Sequence, residues 1–233
     1  MGYFAALYRR MTRAVLEGIE NNSFEDGERM QRLDTIFANR YLKEWQCYTS
    51  KKACSRSWIK AFDACHDNKL TVIQHLLLGI NTHINLDLAI AAAETSPGDA
   101  IHDLEQDFGK INKLIATLSA SIQESLADIW FPLKTLSRLA DGRQDAVINF
   151  SISKARQVSW TNAVALSMVE GTERDNYIGI VDDSVVLVAD RVINPGIAFR
   201  LLLHPVRVME PQDASEIIDL LLKAPAPKTK NII

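Results

Sequence analysis

Cysteine, glycine and proline are all scarce in this sequence, and no long uninterrupted apolar run occurs. The 233 residues include three cysteines, ten glycines and seven prolines. Cys47, Cys54 and Cys65 have no Cys-x-x-Cys spacing and leave one over. That pattern argues against a disulfide framework and against a cysteine-based zinc site, and it suits reduced thiols. No apolar run reaches the roughly 18 residues that a membrane-spanning helix needs, so none is expected. Arg9, Arg10 and Arg13 follow the first short apolar run instead of preceding it. This is the reverse of a secretory signal, and the N-terminus reads as an ordinary amphipathic helix. A net charge of −3 supplies no basic footprint, so neither nucleic acid nor a membrane is expected as a partner. Gly-x-Ser-x-Gly, Walker, Gly-x-Gly-x-x-Gly and His-Glu-x-x-His sequences are all missing, as are the Glu-x-x-His pairs of a ferritin-like di-iron site.

Helical periodicity fills what remains. Alternating strand patterns bounded by turn residues are rare. The Val-rich stretch Ile178–Ile193 repeats its apolar residues at three and four, which predicts helix against its β propensity. Helices are expected over about 3–20, 25–49, 57–66, 70–95, 99–127, 144–170 and 175–193, with short pieces after Pro195 and Pro211. "TSPGD" (Thr95–Asp99) supplies a stop and a Pro–Gly turn between two of them. The fold class that follows is all-α: one domain over 1–223, a bundle of about eight helices. The Pro- and Lys-rich tail over 224–233 is expected to fray. A cytoplasmic location is expected, since no targeting segment is evident.

The stretch "QHLLLGINTHINLDLAIAAAE" (Gln74–Glu94) sets polar residues among Leu, Ile and Ala. On a helical wheel at about 100° per residue, His83 and Asp87 fall on one side and Asn81 and Asn85 on another. A surface helix gathers its polar residues on one face. Two polar sides predict a central helix with neighbours all round, and buried polar groups need partners. His75 and His83 are about 12 Å apart along the axis, too far to share an ion, whereas His83 and Asp87 are neighbours.

An antiparallel hairpin turning at Pro97–Gly98 would set Asp87 opposite Asp107 and His83 opposite Ile111–Asn112, with Gly109 allowing close approach. Two carboxylates, an imidazole and an amide would then meet at one level of the bundle, as ligands of bundle metal sites do. A hydrogen-bonded polar network without metal accounts for the same residues.

"HLLLGINTHINLDLA" and the later "DFGKIN" resemble an uncharacterised, mostly bacterial, all-helical family of unknown function. The similarity extends to "FANRYLKEW" and "KARQVSWTNAVAL", covering most of the chain. The resemblance implies no activity; it marks His75, Gly79, Asn81, His83, Asn85, Asp87, Asp107, Phe108 and Asn112 as parts of the pattern. His102 and Asp103 fall outside it, which weakens a reading as a phosphohydrolase of the His–Asp type.

The leading expectation is a metal-assisted enzyme acting on a small molecule, with hydrolysis slightly favoured over oxidoreduction. His83, Asp87 and Asp107 would ligate zinc, iron or manganese, and His75 would serve as an acid–base group. Asn81, Asn85, Asn112 and Arg156 would support the site or hold the ligand. Arg156 also reads as a surface ion-pair residue, Asp182–Asp183 as solvated, and His204 as the end of a helix. The alternative is a non-catalytic helical ligand-binding or scaffold protein whose buried polar network fixes helix packing.

Overall fold

The computed structural model describes residues 1–111, 114, 143–210 and 213–223. Every regular element among them is helical, as the periodicity predicts. Helix α1 spans Gly2–Glu20 and α2 spans Gly27–Thr49. Asp26 starts α2 by accepting from the Arg29 amide at 2.8 Å, which satisfies one of the four donors that a helix start leaves open. Helix α3 (Arg56–Asp63) runs into a 3-10 turn, Ala64–His66.

The motif helix, expected over 70–95, forms continuously over Val72–Thr95. It comprises α4 (Val72–Thr82), a π-helical turn (His83–Asp87) and α5 (Leu88–Thr95). A reciprocal capping box between Thr71 and Gln74 opens it. Gly98, at φ +60°, supplies the left-handed residue of the turn that follows. Beyond it come a 3-10 segment, Gly98–Leu104, and helical turns over 105–111. The rest of the expected second arm lies outside the described residues. Helices α6 (Arg143–Ser167), α7 (Gly171–Ile193), α8 (Ile197–Met209) and α9 (Ala214–Lys223) complete the elements of the described residues.

The motif helix is the axle of the bundle. Helices α1, α3 and α7 pack against α4, α2 and α6 pack against α5, and the π turn meets α2, α6 and α7. Among the described residues this is the one helix long and apolar enough to cross a bilayer, and 83% of its most apolar window is buried within the protein. Its apolar surface is therefore already covered by other helices. Leu78, Leu86, Leu88 and Ile90 are buried almost completely, each such side chain contributing about 1.5–3 kcal/mol relative to exposure. At Gly79 the backbone lies so close to Phe4 that a Cβ would come within 2.6 Å of the ring. A missing side chain thus lets α1 seat its aromatic against the axle.

Several local expectations need correction. Asp182 is buried and caps the N-terminus of α3, accepting from the Arg56 and Ser57 amides at 2.8 and 3.0 Å. Its neighbour Asp183 is exposed and pairs with Arg56. His204 does not end a helix; α8 continues through Pro205 to Met209. A Cβ at Gly109 would meet nothing within 4 Å among the described residues, so no close helix approach is seen there.

Candidate functional site

His83 lies at the centre of an aromatic cage. Its ring stacks on Phe37 at 3.8 Å with an interplanar angle of 8°. The Tyr8 ring is 4.3 Å away and the Phe4 ring 5.5 Å, both edge-on, with Trp58 and Tyr41 at 6.0 and 6.3 Å. The cage is assembled by spacing: Phe4 and Tyr8 are one turn apart on α1, and Phe37 and Tyr41 one turn apart on α2. Trp58 comes from α3, whose fully buried face also includes Phe62. Both His83 and Asp87 have no solvent exposure.

Asp87 is held by three donors. Its Oδ1 accepts from Arg40 Nε at 2.9 Å, and its Oδ2 from Trp58 Nε1 at 2.8 Å. The same Oδ2 lies 2.8 Å from His83 Nδ1. A carboxylate fixed by Arg40 and Trp58 serves as the acceptor, which assigns the proton to Nδ1 of His83 and leaves a lone pair on Nε2. Burial holds the His83 imidazole below its ordinary range, and the Asp87 contact opposes that shift only in part. Arg40 balances the charge of Asp87, so a second cation here would stand uncompensated. The His83 ring is accordingly neutral. Its Nε2 is buried and has no hydrogen-bond partner among the described residues.

The π turn explains the asparagines. Leu88 N–H bonds five residues back, to the His83 carbonyl, and such widened turns recur at functional sites. Asn85 Nδ2 donates to both the Asn81 carbonyl and Asn81 Oδ1 at 3.0 Å. Asn81 Nδ2 in turn reaches the Val185 carbonyl on α7 at 3.0 Å. Both amides support backbone, one within the turn and one across the bundle.

The expected metal triad does not assemble. Asp107 is fully buried, but it accepts from the Glu25 and Asp26 amides at 2.9 and 3.0 Å and from Lys110 at 3.0 Å. It shares none of these partners with Asp87. Among the described residues no group of three His, Cys, Asp or Glu side chains is placed to hold a metal ion. The register argument aligned the two aspartates by number; the 3-10 segment after Pro97 and the Asp107 bonds to the start of α2 direct that carboxylate elsewhere. His75 stands apart as well, half-buried beside the Tyr3 ring at 6.3 Å. Burial, then the nearby N-terminal amine, lowers its pKa to about 4. Asn112 lies outside the described residues.

Arg156 is not a surface ion-pair residue. It is buried, donates to the Phe108 carbonyl at 2.9 Å, and sets its guanidinium 4.5 Å from the Phe108 ring centre. The residues that sequence reasoning missed are Arg40, Trp58 and the ring set Phe4, Tyr8, Phe37 and Tyr41. The available signal was the one-turn aromatic spacing on α1 and α2, with Arg40 beside Tyr41.

A family of unknown function, DUF5995, matches residues 1–195, and the chain belongs to it. No curated protein and no solved structure matches the chain significantly.

Proposed function

Because that family brings no activity with it, we propose from the geometry alone that the protein is a non-catalytic helical ligand-binding or scaffold protein whose buried polar network fixes helix packing. The observation carrying this reading is Asp87, fully buried and bonded to Arg40 on α2, Trp58 on α3 and His83 in the central helix. A buried carboxylate without such donors faces a penalty of several kcal/mol. Only an arrangement that brings all three elements together satisfies it. The test is Asp87→Asn, followed by urea unfolding and by metal analysis of the wild type. The expected result is a loss of about 3–5 kcal/mol and no stoichiometric metal in the wild type. Undiminished stability, together with loss of a bound metal, would overturn the reading.

One observation favours a second reading, the metal-assisted enzyme acting on a small molecule. His83 Nε2 is buried and unpartnered, and its ring is oriented through Nδ1 by a carboxylate, as metal-bound imidazoles are. With Asp107 engaged elsewhere, a zinc, iron or manganese ion would rest on His83 and draw its other ligands from water or substrate. Titration with each divalent ion, for the wild type and His83→Gln, separates the readings. Binding that the variant loses while its helical spectrum persists supports this one, and the absence of any binding by the wild type removes it.

A further inference from the structure

Helix α8 lies beyond residues 1–195, the part matched by the family. Its sequence, "IAFRLLLHPVRVM", carries two arginines, a histidine and no acidic residue, within a chain whose net charge is −3. Val206 is buried against the body. At the same end Arg207 donates through Nε and Nη2 to the Asn68 carbonyl, and Glu210 accepts from the Val72 amide. The opposite side faces outward. At about 100° per residue, Ile197, Leu201 and Val208 line up within roughly 40° of one another, with His204 among them and Arg200 on the flank. These three apolar residues are 75%, 71% and 66% exposed. An outward apolar ridge edged by cations is the pattern of a helix lying in a membrane interface.

The exposed apolar residues of α7 do not share that charge. On α7, Ile180, Leu187 and Val188 are also exposed, but Asp183 and Asp190 accompany them on the same helix. A second copy of the chain placed ridge to ridge would bring like-charged arginine flanks together. Anionic headgroups complement them instead.

We propose that α8 docks the protein peripherally on an anionic phospholipid surface, with Ile197, Leu201 and Val208 entering the interface and Arg200 meeting headgroup phosphates. The expectation that no membrane is a partner rested on overall charge, and α8 is a local exception to it. The proposal is independent of what happens at His83.

Flotation of the full chain with vesicles of phosphatidylglycerol and phosphatidylcholine, against phosphatidylcholine alone, tests it. Binding is expected only on the anionic vesicles and should weaken as salt rises. Leu201→Ser should reduce it about tenfold or more through lost apolar burial, and Arg200→Ser about fivefold through lost charge. Circular dichroism of both variants keeps a folding defect distinguishable, and Arg200, being exposed, provides the safer of the two. No binding to anionic vesicles, equal binding to neutral ones, or wild-type binding by both variants would overturn the proposal. A dimer in light scattering that Leu201→Ser dissociates would overturn it in favour of a second copy on the same ridge.

Discussion

Asp87 and Asp107 are both fully buried carboxylates, yet they are satisfied in opposite ways. Asp87 accepts only from side chains, drawn from α2, α3 and the central helix. Asp107 accepts from two backbone amides at the start of α2 and from Lys110, one turn along its own segment. The first joins three helices through groups that other side chains could not easily replace. The second clasps a loop whose amides are present whatever the sequence. Burial of a carboxylate therefore says little about its purpose until its donors are named.

The sharpest way to break the comparison is to substitute each aspartate in turn. Asp87→Asn should cost about 3–5 kcal/mol, because Arg40 loses its counter-charge in a buried setting. Asp107→Asn should cost less, about 1–3 kcal/mol, because an amide oxygen still accepts one backbone donor. Chemical denaturation of the two variants side by side measures both. Equal losses would erase the distinction.

Acid titration sharpens it further. Burial pushes the Asp107 carboxyl up, but the bonds from Glu25, Asp26 and Lys110 outweigh this and hold it below its ordinary value. Its contribution is thus present above about pH 4 and is lost as pH falls through the lowered value. His83, buried, and His75, half-buried, act at higher pH. His83 is lowered by burial, and His75 to about 4 from 6.5. The unfolded chain takes up their protons first, so stability should decline as pH drops below about 6.5. For His75 this loss is on the order of 1 kcal/mol at pH 5. Unfolding curves between neutrality and pH 4 test the sign, and NMR of the His83 ring should show it neutral throughout the folded range.

The smallest expected effect concerns Glu210, which caps the start of α4 through the Val72 amide at 3.0 Å. Burial raises its pKa to about 7 from 4.5. The folded state therefore keeps a proton that the unfolded state has released, and stability falls as pH rises from 4.5 toward 7. Glu210→Gln retains an acceptor for Val72 and removes that fall. A gain of up to about 1 kcal/mol at pH 8 relative to the wild type is the expected result.

The helical class was legible because the three-and-four repeat persists even in Ile178–Ile193, where packing of Val181 and Val185 into the core overrides β propensity. The central position of the motif helix was legible too, since polar residues on two sides require neighbours on two sides. The His83–Asp87 pair followed from its spacing. What escaped was whatever depends on chain crossing. The donors Arg40 and Trp58 lie far upstream of Asp87, and no periodicity within the motif helix records them. Asp182 likewise read as solvated because its partners, the amides of Arg56 and Ser57, are 126 and 125 residues away in the chain. The opposing of Asp107 to Asp87 assumed an α-helical register continuing past Pro97, and the 3-10 segment Gly98–Leu104 breaks that assumption.

The π turn sets a phase between the two halves of the axle. One extra residue in the turn rotates α5 relative to α4 by about 100° from where a regular helix would hold it. This lets the upper half address α1, α3 and α7 while the lower half addresses α2 and α6. A single-residue deletion inside His83–Asp87 would restore the regular winding and leave Leu88 to Thr95 facing as they do now, removing the widened turn alone. No side-chain substitution could produce the same change. The spacing of the chain at this point, as much as its chemistry, keeps the imidazole against its aspartate.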